Sequence, residues 1–427
     1  MYYISTAQKA PPQTLSAAIR KGLADDGGLF IPEAFPAILL DSFSPHLSYP
    51  LFAQKLLEPF FINDPLESKI ASFCKQAFTF PLPLKSIKPD TFILELFHGP
   101  TLSFKDFGAR FLAEALNALS PSQKTTVMVA TSGDTGSAVA SAFYLKPQLQ
   151  VIILYPQGKI SARQEQQITC WDHNVLALGV DGTFDDCQQL VKSAFQDAAW
   201  QKKLHLSSAN SINIGRLLPQ IVYYAYTSLQ FYHRYRQAPG FIIPTGNLGN
   251  ATAGYWAKAL GFPIREIVLA TNANVVIPDF LKTSHFSPRP SIPTLANAMD
   301  VGNPSNFERL QVLFPSFDAF KKNVRAFSAT DEDIRQTILS MYHEYQTLVC
   351  PHTATACFAR KQLSEQPWII VATADPCKFE DIIEPLIQAP IPVASQLQLL
   401  LEKPTQHLVV GRQLEDIKQA LEKRGIL

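Results

Sequence analysis

The sequence predicts an α/β protein with doubly wound, mainly parallel sheets, preceded by a separate N-terminal unit. Three observations predict it. Strand-length apolar runs alternate with helical segments through most of the 427 residues, which is the pattern of βαβ units. Two of the strand-to-helix connections are glycine-bearing turns, TSGDTG at 131–136 and PTGNLGN at 244–250. Apolar residues make up 47% of the chain against 17% charged, a composition that supports a large buried core and argues against disorder.

The elements follow in chain order. Segments 16–23, 52–57 and 69–77 read as helices of an N-terminal unit, residues 1–90. A proline-rich passage at 80–89 reads as the extended connector that closes it. Strands are expected at 92–96, 125–130, 151–154, 175–178, 241–243, 267–270 and 368–372. Residues 91–210 are expected to form a smaller α/β unit and residues 211–390 a larger one. The tail, 391–427, is less patterned, with one helix expected at 414–423, docked outside the core.

Charge and cysteine usage exclude several classes. Formal net charge is +1, and without a basic run nucleic acid and membrane surfaces are poor partners. Residues 1–15 lack a charged segment followed by an apolar run, so no signal peptide is expected. No apolar stretch approaches a membrane span. The six cysteines are scattered with no CxxC pair, so buried reduced thiols are expected, a metal site is not, and the cytoplasm is the natural compartment.

The chemistry concentrates at three places. In HGPTLSFKDFG at 98–108, Lys105 follows a Gly-Pro turn and opens a helix whose apolar face is Phe107, Phe111, Leu112, Ala115, Leu116 and Leu119. A lysine in a first helical turn meets the positive end of the macrodipole, which favours the free amine that an imine-forming nucleophile requires. A solvated surface lysine is the ordinary alternative. The two glycine turns are candidate anion cradles, because glycine lets backbone amides turn inward and the following helix adds unpaired N–H groups. Either turn alone is equally a tight strand-to-helix connection; two of them beside a helix-start lysine are harder to dismiss.

These segments resemble the threonine synthase family, pyridoxal-phosphate enzymes of the tryptophan-synthase-β fold type. The resemblance extends to YIST at 3–6, GLADDGGLFIPE at 22–33, NSIN at 210–213 with Arg216, ATNAN at 270–274, NAMDV at 297–301 and PHTA at 351–354. It covers nearly the whole chain in order and is greatest to the longer variety with an N-terminal domain. It implies two doubly wound pyridoxal-phosphate-binding domains (fold type II) beside the N-terminal domain, acting as a monomer or small homo-oligomer.

The resemblance implies roles residue by residue. Lys105 is the Schiff-base lysine and, once displaced, the general base. Gly246, Asn247, Leu248, Gly249 and Asn250 hold the cofactor phosphate. Thr353 faces the pyridine nitrogen, although on sequence alone a helix cap is the better reading. Asp134 lies near the cofactor's 3-hydroxyl and either tunes it or caps the following helix. Thr131, Ser132 and Thr135 resemble a substrate-carboxylate site. Asn210, Ser211 and Arg216 form a second anion site: an arginine in a first turn opposes the helix dipole, which is sensible where an anion sits, the alternative being a surface ion pair.

The implied reaction is γ-elimination of phosphate from O-phospho-L-homoserine and β-addition of water, giving L-threonine. The departing phosphate, held by Asn210, Ser211 and Arg216, would help activate the water. A threonine or serine dehydratase-like lyase of the same fold is the nearest rival, and it needs no distal phosphate grip. A non-catalytic binding protein would be expected to have lost Lys105 or the glycines. Two departures from the family stand out: Cys350 where an acidic residue is common, and Asp375 where histidine is usual.

Overall fold

The computed structural model describes residues 1–120 and 124–427. Two short strands, β1 (Tyr3–Ser5) and β2 (Phe30–Pro32), pair antiparallel. Strands β3 (Leu84–Lys88) and β4 (Thr91–Glu95) follow the N-terminal helices. Next come β5 (Thr125–Ala130), β6 (Leu149–Pro156), β7 (Val175–Val180) and β8 (Leu206–Ser208). The second half contributes β9 (Gly240–Pro244), β10 (Ile267–Thr271), β11 (Arg325–Ser328), β12 (Trp368–Ala372) and β13 (His407–Val410).

They form two large sheets. One has the order β11-β10-β9-β12-β4-β3 and is parallel apart from the antiparallel edge pair β3–β4. The other has the order β13-β7-β6-β5-β8 and is parallel throughout. Strands β4, β5, β7, β9, β10 and β12 are buried along their full length. Helices covering both faces of a parallel sheet require this, and it is why these strands read as mainly apolar runs. Ligands of such sheets bind outside the carboxyl ends of the strands. Here those ends are Glu95, Ala130, Pro244 and Ala372, and each leads into a loop of the candidate site.

Sheet membership departs from the expected division in three places. The strand near 92–96, assigned by sequence to the smaller unit, is β4 and pairs with β12 in the six-stranded sheet. Its full burial goes with a place between two neighbours, β12 and β3. The 80–89 connector contains an edge strand, β3, whose residues are partly exposed, and edge positions tolerate its flanking prolines. The tail does more than dock a helix. Strand β13 extends the smaller sheet beyond β7. The helix Leu414–Lys423 falls where expected, but Ile417 and Leu421 are fully buried in the cluster containing Leu178, Leu190 and Trp200.

One apolar core runs from the N-terminal unit into the body. It joins Phe52, Leu56, Phe60 and Phe61 to Phe107, Phe111 and Leu112 of the helix Lys105–Leu119 and to Leu217 and Ile221 of the helix Ile214–Tyr235. The N-terminal unit therefore packs on the helix that presents Lys105. All six cysteines are free and buried. Among the described residues, no helix is long and apolar enough to cross a membrane, and no cluster of metal-ligating side chains occurs.

Candidate active site

Lys105 is the first residue of its helix, and the loop before it is tightly determined. The Asp106 carboxylate accepts from the Thr101 N–H (2.9 Å) and the Thr101 hydroxyl (2.7 Å). The loop is also tied to the end of β12: the Phe104 N–H donates to Thr373 O (2.8 Å) and the Asp375 N–H to Leu102 O (3.0 Å). A Cβ at Gly99 would lie 2.5 Å from the Asp106 carboxylate, so this turn requires glycine. The Lys105 side chain is 13% exposed, and its Nζ is 3.9 Å from Asp134 Oδ2. Burial pushes its pKa from 10.5 to about 8, against the pull of Asp134 and aided by the cations Lys378 and Arg216.

Lys105 opens into a cavity of about 120 Å³ at the meeting of the two sheets. The turn after β9 forms one wall. Leu248 there has φ +61°, a left-handed conformation unusual for leucine, just before the helix Gly249–Ala259. Such a reversal turns successive N–H groups to one side and makes an anion nest. A Cβ on Gly246 would lie 2.7 Å from Met299 Cα, so the backbones approach closely there. Asn250 Oδ1 accepts from the hydroxyls of Tyr223 (2.6 Å) and Tyr224 (2.7 Å), while its buried Nδ2 has no partner. A buried unpaired donor on a cavity wall calls for an acceptor.

The opposite wall is the turn after β5. Gly133 has φ +130°. Thr131 Oγ1 accepts from the N–H groups of Gly133 (3.0 Å) and Gly136 (2.8 Å) and donates to Gly133 O (3.1 Å). That hydroxyl is therefore spent on shaping the turn, whereas the half-buried Ser132 and Thr135 line the cavity. Asp134 is buried and paired with Lys378, Nζ to Oδ1 at 2.7 Å, with Gln164 Nε2 donating to the same oxygen (3.0 Å). Burial alone would raise the Asp134 carboxyl; Lys378, Lys105 and His352 outweigh it and hold it well below the usual carboxylate range. Asp134 is thus an ionised carboxylate between two lysines.

The second anion site is the loop leading into the helix Ile214–Tyr235. Asn213 caps that helix, accepting from the Gly215 N–H (2.9 Å). Arg216 is buried, donates Nη1 to Ala209 O (2.5 Å), leaves Nε unpaired, and makes no ion pair among the described residues. A surface-carboxylate partner for Arg216 is thereby excluded. Burial lowers its pKa to about 10, with partial compensation from Asp106, so it stays charged at neutral pH. Of the cavity-lining residues, Lys105 and Arg216 are the cations and Asp134, already paired with Lys378, is the carboxylate, a balance suited to anionic ligands.

The structure gathers Lys105, Thr131, Ser132, Asp134, Thr135, Asn210, Ser211, Arg216, Gly246, Asn247, Leu248, Gly249 and Asn250 on this one cavity. Thr353 stands apart. Its Oγ1 accepts from the Thr373 N–H (3.4 Å) and contacts Cys350 Sγ (3.2 Å), beside a separate small void. Cys350 Sγ caps the helix Pro351–Arg360, accepting weakly from the Thr353 N–H (3.4 Å). Asp375 caps the short turn Pro376–Lys378.

Two residues at the site escaped the sequence reading, His352 on the cavity wall and Lys378 behind Asp134. Lys378 is fully buried and also donates to Thr101 O (2.9 Å); its signal was a lone basic residue just past the end of an apolar strand. His352 accepts at Nε2 from the Ala298 N–H (3.1 Å), leaves Nδ1 unpaired, and is lowered by burial to about 4, hence neutral.

A family model described as pyridoxal-phosphate dependent enzyme matches residues 81–373. The chain is a pyridoxal-phosphate-dependent enzyme. A second model, threonine synthase N terminus, matches residues 2–78. The chain is 40% identical to threonine synthase from Haemophilus influenzae over 91% of its own length and 93% of that protein's. It superposes on the crystal structure of threonine synthase from Escherichia coli with a TM-score of 0.92 and 34% identity, covering 99% of this chain and 100% of that one. The pyridoxal-phosphate-bound threonine synthase from Brucella melitensis gives 0.92 at 32% identity, with 99% of each chain covered. The chain belongs to the threonine synthase family, a lyase family of threonine biosynthesis.

The cavity fits that cofactor on its own chemistry. It offers an amine of depressed basicity, a nest at a helix N-terminus whose Gly246 leaves no room for a side chain, and the unpaired donor Asn250 Nδ2.

Proposed function

We propose that this protein converts O-phospho-L-homoserine and water to L-threonine and inorganic phosphate, with Lys105 as the catalytic base. Bound pyridoxal phosphate supplies an electron sink for the carbanions that the reaction generates. Lys105 would hold the cofactor through Nζ, and the turn Gly246, Asn247, Leu248, Gly249 and Asn250 its phosphate. Ser132, Thr135 and the backbone of the Thr131 turn take the substrate carboxylate at a helix N-terminus.

With its pKa lowered to about 8 by burial, the freed Lys105 amine accepts the proton from Cα, must give it up before it takes one from Cβ, and returns protons to Cγ and Cα before product leaves. Asn210, Ser211 and Arg216 grip the phosphate that leaves Cγ with the electron pair of its C–O bond. Held there, the phosphate is the nearest strong base to draw a proton from the water whose oxygen bonds to Cβ. Asp134, ionised and clamped by Lys378, is placed to fix the protonation pattern around Lys105. Thr353 Oγ1 contacts Cys350 Sγ and the N–H of Thr373, itself on the cavity wall, so a ring-facing role would require that hydroxyl to turn from these partners.

The observation that carries this reading is a desolvated amine sharing one cavity with two separate anion cradles. The second cradle favours a phosphorylated substrate over a dehydratase substrate. The test is an assay of the holoenzyme with phosphohomoserine for phosphate and amino-acid products. Threonine in a one-to-one ratio with phosphate is expected, with both lost in Lys105→Ala; 2-oxobutyrate as the product, or no phosphate release, would sink the reading. Arg216→Ala is expected to lose most turnover.

A further inference from the structure

The second anion site contains a hydroxyl whose proton has nowhere to go within the protein. Ser211 Oγ accepts from Asn247 Nδ2 (2.7 Å) and from Asn306 Nδ2 (3.2 Å). A serine hydroxyl has one proton to give and two lone pairs to receive. Both lone pairs are engaged, and among the described residues no acceptor takes the proton. Ser211 lines the catalytic cavity, so its O–H is left to point there.

The orientation of each amide is settled by a neighbour that cannot reverse its own role. Asn247 Oδ1 accepts from the Ser305 backbone N–H (2.6 Å), which turns Asn247 Nδ2 toward Ser211. Asn306 Oδ1 accepts from Arg309 Nη1 (2.7 Å). Arginine donates only, so this contact fixes which end of the Asn306 amide is oxygen and sends its Nδ2 to Ser211 and to Asn247 O (3.0 Å).

Arg309 is itself held rigidly. It is 1% exposed and makes no ion pair among the described residues. Its Nε and Nη2 donate to Phe30 O (3.1 and 2.9 Å), Nη2 to Ile212 O (2.7 Å) and Nη1 to Ser211 O (3.1 Å). Every N–H of this guanidinium thus finds an acceptor, on β2 of the N-terminal unit, on the Ser211 loop, or on Asn306.

We infer that Arg309 and Asn306 are positioning residues that lock the Ser211 hydroxyl as a donor into the cavity, ready for the substrate's phosphate. The inference rests on the reading of that cradle as the phosphohomoserine phosphate site. It gives the N-terminal unit a part in substrate recognition, since Phe30 O helps to seat the guanidinium that orders the relay.

Asn306→Asp tests it with the fold protected. The carboxylate keeps an acceptor for Arg309 and gains an ion pair, but it presents an acceptor to Ser211 Oγ, which then spends its proton inside the protein. The readouts are the inhibition constant for inorganic phosphate, the rise in Tm that phosphate produces in the unreacted holoenzyme, and KM for phosphohomoserine. Asn306→Asp and Ser211→Ala should each weaken phosphate by roughly tenfold, as expected for a hydrogen bond to a charged group. The double variant should be no weaker than Ser211→Ala alone, and Arg309→Met, which frees the Asn306 amide to turn over, should resemble Asn306→Asp. A wild-type phosphate constant in Asn306→Asp, or losses that multiply in the double variant, would overturn the relay. Should the wild-type enzyme fail to turn over phosphohomoserine, the substrate assignment fails, while the phosphate-induced Tm rise still judges the relay.

Discussion

Lys105 carries a proton less readily in the fold than in the unfolded chain, and this links function to stability. Its pKa falls from 10.5 to about 8, chiefly because the side chain is buried. The folded state therefore binds fewer protons than the unfolded state between those values, and stability rises with pH across that window. Below about pH 8 the full cost of a charged, desolvated ammonium is present; at roughly 1.4 kcal/mol per pH unit it amounts to about 3 kcal/mol at most. Lys105→Met removes the cost. The cofactor-free variant should be more stable than the cofactor-free wild type in urea at pH 7, and the advantage should shrink toward pH 10. An advantage independent of pH would mean that apolar packing, and not the proton, accounts for it. The same residue shows how far sequence reaches: its place at a helix start was legible, and so was the sign of its perturbation, but the cause is burial where the sequence pointed to the helix dipole. The cation that shares Asp134 with it, Lys378, comes from a loop more than two hundred residues away, and no local pattern joins the two.

Elements were legible in proportion to their burial. Strands β5, β6, β7, β9, β10 and β12 are apolar over most of their length because helices cover both faces, so each reads plainly in the sequence. The short strands β1, β2, β8, β11 and β13 exist through pairing and carry no pattern of their own. The candidate site was legible where backbone conformation dictates residue type, above all at the glycine turns. It was obscure where side chains from distant segments settle each other's orientation, as Asn306 and Arg309 do for Ser211. Gly246 tests the legible part. An added Cβ would sit 2.7 Å from Met299 Cα, a backbone atom that cannot step aside cheaply, so the nest must deform. Gly246→Ala should fold with a lowered Tm and bind pyridoxal phosphate at least tenfold more weakly, measured by fluorescence titration of the cofactor-free protein. Unchanged affinity would show that the turn's close approach to 297–299 does not matter to the cradle.

At the scale of the whole chain, the two ends serve different sheets. The N-terminal unit shares a continuous core with the helix of Lys105, whereas the last residues close the smaller sheet. With β13 removed, β7 becomes an edge: a row of unpaired N–H and C=O groups beside Val175, Leu176 and Leu178, which are buried in the intact protein. Such an edge invites pairing with another chain. The helix Leu414–Lys423 adds a second layer of protection, because Ile417 and Leu421 cover Leu190 and Trp200. The two contributions are separable. Leu421→Ala keeps β13 and opens a cavity, so it should cost about 2–5 kcal/mol of stability and leave the oligomeric state unchanged. Deleting residues 404–427 uncovers the edge itself and should produce concentration-dependent association, seen by light scattering at concentrations where the full chain is uniform in size. The six-stranded sheet gains nothing from β13, so the turn after β9 should still bind pyridoxal phosphate in whatever fraction stays unassociated. A truncated chain that keeps the size distribution of the full chain would mean that β7 is shielded by something other than β13.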